Sequence, residues 1–349
     1  MFSDHHTRPY RNRFSCLLYI FPHHVLWNTF SRVRAFITIL FLTACCPDVL
    51  PEAVSLHTHK QASLPITISS AEGSTLDIFT FQDDRLRRLD SYQRVEEFKG
   101  QTAYAESTSG QKIFFFCLSN RREIFKWTDM NSYASLGKVR IDLENETREC
   151  LTRTGECRAS ANESGKKVIL KPLVAAVRID RISCDFSGTP YAGQPITNVR
   201  AYLTNVNATY GLTGSDSDSP ERIINQGMLN RNDLKAFTET DLVFSELTEN
   251  LSTTTVHPDF CFLCYPNRGD GNSIGTPHTR LVIEGKIDGL TYYWPISVKD
   301  IERGCCYTFD ILLRRKGTSD PDTPIEPKDC KIQFDIKPWI EKEEYGVRF

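Results

Sequence analysis

The sequence lacks a hydrophobic run long enough to cross a membrane. Its 349 residues are 40% hydrophobic, yet only residues 35–44 have the apolar density of a membrane insert. About ten residues are half of the roughly 20 that a membrane-spanning helix needs. The chain also lacks an excess of one charge, since 42 Lys and Arg stand against 44 Asp and Glu, and no stretch concentrates basic residues. We therefore expect neither a transmembrane span nor a nucleic-acid partner.

Several common catalytic and metal-binding motifs are also missing. The sequence contains no H-E-x-x-H motif, no P-loop and no G-x-G-x-x-G beside a strand. Cys261 and Cys264 have zinc-ligand spacing, but apolar neighbours place them in a buried strand, and the adjacent Cys305 and Cys306 make a poor second pair. We expect buried or disulfide-linked cysteines, no metal site, no catalytic activity and no small-molecule substrate.

The N-terminal residues have the pattern of a bacterial secretory signal. Two arginines stand directly before the short apolar run, as the charged region of a signal peptide stands before its hydrophobic region. The run ends in the sequence L-T-A-C at residues 42–45, which resembles the lipobox of a bacterial lipoprotein. We expect a lipoprotein signal peptide over residues 1–44, removed by cleavage between Ala44 and Cys45.

Lipidation of Cys45 is expected to hold the mature protein on a membrane surface. A lipobox cysteine carries diacylglycerol on its sulfur and an acyl chain on its new amino terminus. Two or three chains exceed the single chain that gives only marginal anchoring. We expect no cofactor beyond these covalent lipids. The alternative is that Cys45 and Cys46 are small buried residues of an ordinary helix, and residues 1–33 are longer than a usual charged region.

The mature chain shows the alternating pattern of many short strands. Apolar residues recur at every second position, and Gly, Ser, Asp and Pro separate the runs. The clearest strands are predicted at residues 64–68, 76–81, 112–118, 138–143, 199–203, 279–287, 290–298, 307–313 and 332–336. Asp288 and Gly289 predict a tight hairpin, because both residues tolerate positive φ. Short helices are predicted at residues 129–136 and from Asn232 onward.

This pattern predicts an all-β protein with two β-sandwich domains. Residues 45–63 carry no helical or strand period and are interpreted as a tether. Residues 153–167 lack large apolar side chains, so we place the domain boundary at 165, to within about ten residues. The N-terminal β-sandwich domain then covers residues 64–165, and the C-terminal β-sandwich domain covers residues 166–349.

A series of strand and turn motifs in this order resembles the fimbrillin superfamily of Bacteroidales. The likeness is greatest to its fimbrial anchor and minor-subunit branch, and it covers nearly the whole mature chain. The motifs lie at residues 42–45, 76–84, 191, 205–206, 225–227, 264–267, 279–285, 317–322, 339 and 347–349. The resemblance implies two transthyretin-like sandwiches, a lipoprotein on the surface of the outer membrane, and other fimbrial subunits as partners.

The same resemblance implies assembly of the fimbria by exchange of β-strands. In stalk subunits of the family a trypsin-like protease removes the first strand after a basic residue, and a strand from a neighbouring subunit fills the groove. In this chain Lys60 is the only Lys or Arg between Cys45 and Arg85, and it precedes the predicted strand at 64–68. This departure favours a lipid-anchored subunit, either the anchor or another accessory subunit, that keeps its first strand.

The C-terminal strand is the candidate for coupling to the pilus. Ile332, Phe334 and Ile336 alternate with polar residues, and three prolines separate this segment from the preceding strand. Such a strand either completes its own sandwich or is donated to a neighbour. The other function left open is a non-catalytic, glycan-binding surface lipoprotein that uses residues 292–294, Tyr-Tyr-Trp, as a stacking platform.

Overall fold

The computed structural model describes residues 62–68, 74–99, 101–160, 163–214, 222–226, 237–269, 277–323, 325 and 330–338. The predicted signal peptide, its cleavage site at Ala44, the lipidation site at Cys45 and the tether up to residue 61 lie outside this part of the chain. The start of the helix predicted from Asn232 lies outside it as well. Among the described residues no helix has the length and apolar character needed to cross a bilayer.

The described residues are almost entirely strand and loop, so the all-β prediction is confirmed. The strands are β1 Ala62–Ile68, β2 Ser74–Gln82, β3 Leu89–Phe98, β4 Thr102–Ser107, β5 Gln111–Ser119, β6 Arg140–Asp142, β7 Arg153–Ser160, β8 Lys166–Val168, β9 Lys171–Pro172, β10 Ala175–Cys184, β11 Thr197–Thr204, β12 Val206–Asn207, β13 Thr209–Gly211, β14 Ile223–Ile224, β15 Phe244–Glu246, β16 Phe260–Cys264, β17 Thr279–Ile287, β18 Leu290–Val298, β19 Cys305–Leu313 and β20 Cys330–Pro338. Two one-turn helices, α1 Trp127–Met130 and α2 Tyr133–Leu136, and a 3-10 turn, Leu143–Asn145, complete the elements.

The first sandwich packs a five-stranded sheet, in the order β3-β2-β5-β7-β9, against a three-stranded sheet, in the order β4-β1-β8. Strand β1 is the middle strand of the smaller sheet, antiparallel to β4 and parallel to β8. Leu64, Ile66 and Ile68 alternate with exposed residues and are at most 1% exposed. The period of two in the sequence therefore corresponds to one buried face and one solvent face.

The five-stranded sheet is buried on both faces at its centre. Phe114 and Phe116 in β5 pack in the cluster that contains the apolar face of β1, whereas Phe79 and Phe115 pack in a second cluster on the opposite face. All residues at positions 112–119 are buried. This explains why β5 has a continuous apolar run instead of an alternating pattern.

The second sandwich consists of two four-stranded sheets, with the strand orders β16-β10-β19-β20 and β15-β11-β17-β18. Strands β10 and β19 are parallel, and β17 and β18 form an antiparallel hairpin. Its turn residues, Asp288 and Gly289, have φ values of 49° and 78°, as the sequence predicted. The core between the sheets includes Trp294, Ile283 and Phe309.

Polar contacts tie the first sandwich to the second. Strand β6 pairs with β13, and the Arg303 guanidinium donates to the carbonyl oxygens of Thr154, Lys171 and Pro172 at 3.0, 2.7 and 3.3 Å. A guanidinium that fills three carbonyl acceptors holds the loop before β19 against the ends of β7 and β9. The donors of a guanidinium have a fixed planar geometry, and the carbonyl oxygens that accept from them belong to the backbone. These contacts therefore fix the loop before β19 relative to β7 and β9.

A buried carboxylate lies at the same junction. Glu146 is 3% exposed, and its oxygens accept from the Thr152 backbone amide at 2.7 Å and the Tyr265 hydroxyl at 3.1 Å. Burial raises the pKa of Glu146 above its usual value, and the hydrogen bonds partly oppose this shift. Tyr265 also stacks on Tyr210, so the carboxylate links the loop after β6 to residues of the second sandwich.

Two sequence predictions need correction. The single helix predicted at 129–136 is two one-turn helices, of which only α2 has a capping side chain, from Ser132. The polar stretch 153–167 contains β7, an inner strand between β5 and β9. Strands β8 and β9 also pair with strands of the first sandwich, which therefore extends to Pro172. The domain boundary at 165 stays a prediction.

The buried Lys112 is expected to be needed for the stability of the first sandwich. Its side chain is 1% exposed, and its Nζ lies 3.3 Å from Asp90 and donates to Gln82 at 2.7 Å and Thr108 at 2.8 Å. Lys112→Met leaves the Asp90 carboxylate buried without its cation, and we expect a loss of about 3 kcal/mol in the free energy of unfolding.

Urea denaturation measures this loss. The matched control is Lys99→Met, because Lys99 pairs with Glu97 on the surface, with both side chains more than half exposed. Surface pairs contribute little to stability. Equal unfolding midpoints for the two variants would show that the buried ion pair does not stabilise the sandwich.

Candidate strand-exchange sites

Strand β1 fills the groove between β4 and β8. Its backbone pairs with β4 over residues 62–67 and with β8 over residues 66–68, so both of its edges are bonded. Its three buried side chains, Leu64, Ile66 and Ile68, contribute on the order of 5 kcal/mol, at roughly 1.5 to 3 kcal/mol each. An open groove of this kind would expose both unpaired backbone groups and apolar surface.

The first basic residue after β1 lies beyond β2, in an exposed turn. Arg85 is exposed, and the carboxylate of Asp84 accepts from the backbone amides of Leu86 at 3.0 Å and Arg87 at 2.7 Å, which orders the turn. Cleavage there leaves both β1 and β2 on the N-terminal fragment. Because β2 lies inside the five-stranded sheet, such a cut would not open the β1 groove alone.

Strand β20 is an edge strand whose apolar face is only partly covered. Among the described strands it pairs with β19 alone, and Ile332, Phe334 and Ile336 lie on one face, as their alternation predicted. Cys330 is buried and Ile332 is half-buried, whereas Phe334 is 63% exposed and Ile336 is 48% exposed. The Phe334 ring stacks on Phe309, with centroids 5.9 Å apart. The strand therefore starts inside the core and ends with two apolar side chains facing solvent.

The three aromatic residues at 292–294 do not form one platform. Trp294 is fully buried, and its indole Nε1 donates to the Arg315 carbonyl oxygen at 3.0 Å. Tyr293 pairs through its backbone with Thr318, and Tyr292 lies on the same strand face as Trp294, at the end of the sandwich. The glycan-binding alternative therefore loses the platform on which it was based, because Trp294 is buried and the half-buried Tyr292 and Tyr293 lie on opposite faces of β18.

Titratable groups inside the fold serve packing and hydrogen bonding. Asp77 is buried in β2, where burial raises its pKa and the Tyr92 hydroxyl, which donates at 2.6 Å, and Arg94 oppose the shift. The Nδ1 of His257 lies 3.1 Å from the Asp180 carbonyl oxygen. Within the described ranges, no group of three or more His, Cys, Asp and Glu residues is placed to hold a metal ion.

Cys261, Cys264, Cys305 and Cys306 are free thiols. Cys261 and Cys264 are both buried in β16, as the sequence predicted, and Cys305 and Cys306 lie in β19, partly exposed. Burial raises the pKa of Cys261 to about 11 and of Cys264 to about 12, so both are protonated at neutral pH. Cys261 and Cys264 therefore lack the thiolate character of a reactive or metal-binding pair.

The sequence contains one short motif that resembles a hydrolase signature. Residues 271–275, Gly-Asn-Ser-Ile-Gly, match the G-x-S-x-G pattern of hydrolase nucleophiles but lie outside the described residues. In hydrolases the serine of this pattern lies at a sharp turn from a strand into a helix. The next described element in this chain is the strand β17.

Comparison with known proteins identifies the fold. No protein-family model matches the chain, and no curated protein is similar to it in sequence. Solved structures do match. A candidate cell adhesion protein from Bacteroides eggerthii has 16% identity and a TM-score of 0.63, over 80% of this chain and 96% of its own.

Two further structures agree with that match. A candidate cell adhesion protein from Parabacteroides distasonis has 14% identity and a TM-score of 0.59, over 80% of this chain and 97% of its own. A fimbrillin from Porphyromonas gingivalis has 12% identity and a TM-score of 0.56, over 80% of this chain and 98% of its own. The chain therefore has the fold of these Bacteroidales proteins, as the resemblance in its motifs implied.

Proposed function

We propose that this protein is a structural subunit of a cell-surface fimbria and has no catalytic role. The observation that carries the proposal is β1, which is seated between β4 and β8 with its apolar face fully buried. A sandwich closed by one short terminal strand can exchange that strand for one from another subunit. The shared fold with a fimbrillin supports this reading. Its partners are then other fimbrial subunits, with no nucleic acid or small-molecule substrate.

Within a fimbria, the role of a lipid-anchored subunit fits this sequence best. Lipidation at Cys45 would hold the chain on the outer membrane, and no cofactor besides the lipids is required. The stretch between β1 and Arg85 offers no Lys or Arg to a trypsin-like protease, so β1 stays in place. A subunit that keeps its own first strand accepts no donor there and ends the chain of subunits, as an anchor or other accessory subunit does.

Strand β20 is the part of the molecule through which we propose that the subunit couples to the pilus. An edge strand presents a row of unpaired backbone groups, and natural proteins usually protect such edges. Here the edge also has two exposed apolar side chains, Phe334 and Ile336, on the face that points toward the core side of the sheet. Addition of β20 to a neighbouring sandwich would cover both.

The lipid anchor is tested by replacing the modified cysteine. Cys45→Ala should abolish incorporation of labelled palmitate and leave an unprocessed precursor, because the sulfur that carries the diacylglycerol is gone. Cys46→Ala is the matched control and should label normally. Labelling of the Cys45 variant at the level of the unchanged protein would place the anchor elsewhere.

The coupling role of β20 is tested with the double variant Phe334→Ser and Ile336→Ser. Because both side chains are about half exposed or more, we expect a folded protein that loses no more than about 1.5 kcal/mol, the worth of one aromatic pair. Cells that carry it should nevertheless release their pili into the medium.

The control for this experiment is Phe309→Ala on the neighbouring strand, which is 3% exposed and should cost about 3 to 5 kcal/mol. Urea midpoints and the fraction of pili retained by cells are the measurements. A folded double variant that still retains its pili rules out the coupling role. A double variant as unstable as Phe309→Ala would make β20 an ordinary core strand.

A further inference from the structure

Two tyrosines close one end of the second sandwich. The rings of Tyr191 and Tyr292 lie 6.5 Å apart at an angle of 69°, and Phe186 packs 6.5 Å from Tyr191 on the other side. Both tyrosines are half-buried, so each ring has one side on the core and part of its surface in solvent. Leu290, 63% exposed, lies two residues before Tyr292 on the same face of β18 and extends this apolar surface.

A lysine is held over both rings by the segment that follows β19. The Trp294 indole donates to the Arg315 carbonyl oxygen at 3.0 Å, and Thr318 exchanges two backbone hydrogen bonds with Tyr293, at 2.8 and 2.9 Å. These bonds fix the chain on both sides of Lys316. At Gly317 a Cβ would lie 2.1 Å from the Tyr293 carbonyl oxygen, so no larger residue permits this close approach.

The ammonium of Lys316 lies at the same distance from both tyrosine rings. The Lys316 Nζ lies 5.8 Å from the ring centroid of Tyr191 and 5.8 Å from that of Tyr292. This distance is within the range of a cation–π contact. Among the residues that the structure describes, Lys316 contacts the two rings and the Tyr191 hydroxyl and has no carboxylate partner, so its charge is not neutralised there.

The loop that carries Tyr191 is also rigid. Backbone amides of Thr189, Ala192 and Gln194 donate to carbonyl oxygens three residues earlier in the chain, at 3.0, 3.1 and 2.9 Å. The Thr189 hydroxyl adds a bond to the Phe186 carbonyl oxygen at 2.7 Å. The ring, the hydroxyl and the ammonium are therefore in place before any ligand arrives, which lowers the entropic cost of binding.

The electrostatics of this corner favour an anion. The Tyr292 hydroxyl and, after it, the Lys316 ammonium lower the pKa of Tyr191. The carboxylate of Asp288 acts in the opposite direction, but its effect is the smallest of those on Tyr191. The hydrogen bond between the two tyrosines raises the pKa of Tyr292, so the Lys316 ammonium is the group that favours an anion beside the rings.

We propose that Tyr191, Tyr292 and Lys316 form a binding site for an acidic sugar residue. The carboxylate of the sugar pairs with the Lys316 ammonium and accepts from the Tyr191 hydroxyl, which are both charge-assisted contacts. The C–H face of the pyranose ring packs on the exposed part of the tyrosine rings and on Leu290. A cap that only closed the core would need neither the hydroxyl on Tyr191 nor a lysine above the two rings. A small inorganic anion would leave the ring surfaces unused.

Matched ligand pairs test the proposal by isolating the carboxylate. The full chain, purified in detergent, is titrated with digalacturonate and with its dimethyl ester, and with 3′-sialyllactose and lactose, by saturation-transfer NMR and calorimetry. The two pairs distinguish a uronic acid from a sialic acid as the source of the carboxylate. We expect the acidic member of at least one pair to bind about tenfold more tightly, since one charge-assisted hydrogen bond is worth about that factor.

Variants then assign the binding to this corner. Lys316→Gln should remove the preference for the acidic ligand, Lys316→Arg should keep it, and Tyr191→Phe should weaken it with the fold intact. Lys299→Gln, an exposed lysine just after β18, is the control and should bind as the unchanged protein does. Thermal unfolding confirms that each variant is folded. Equal affinity for both members of each pair, no binding at millimolar concentrations, or an unaltered preference in folded Lys316→Gln would each overturn the proposal.

Discussion

The insertion of β1 between β4 and β8 is the constraint on which the first sandwich depends. Without β1, the two outer strands of that sheet have no common neighbour, and Phe114 and Phe116 of the facing sheet lose their cover. A segment of only seven residues thus completes both a hydrogen-bond ladder and an apolar core. Because β1 is so short, a strand of similar pattern from another subunit can replace it. Whether the chain keeps its own β1 therefore decides whether it can accept such a strand.

The five-stranded sheet also connects the first sandwich to the second. Its other face, with Phe79 and Phe115, belongs to the same apolar cluster as the core of the second sandwich. Arg303 and Glu146 add directional polar contacts at that junction. The described parts of the two sandwiches therefore share one apolar cluster and are joined by directional polar contacts.

Sequence reasoning succeeded where local chemistry decides the structure. The Asp288-Gly289 turn fixes its hairpin, and the alternation of Ile332, Phe334 and Ile336 sets the faces of β20. It missed β7, because that strand has few large apolar side chains and is formed by pairing with neighbours on both sides. The corner of Tyr191 and Lys316 could not be predicted either, since the two residues lie 125 positions apart, in the segments that follow the neighbouring strands β10 and β19.

The central claim is that this subunit keeps its first strand and its lipid while it is part of a pilus. The most direct measurement is mass spectrometry of the chain recovered from native pili, with identification of its N-terminal peptide. The account predicts a peptide that begins at Cys45, carries the lipids and continues through β1, Ala62–Ile68. An N-terminus between Ser69 and Ala71, or at Leu86 after cleavage at Arg85, would contradict it and make this chain a processed, polymerising subunit.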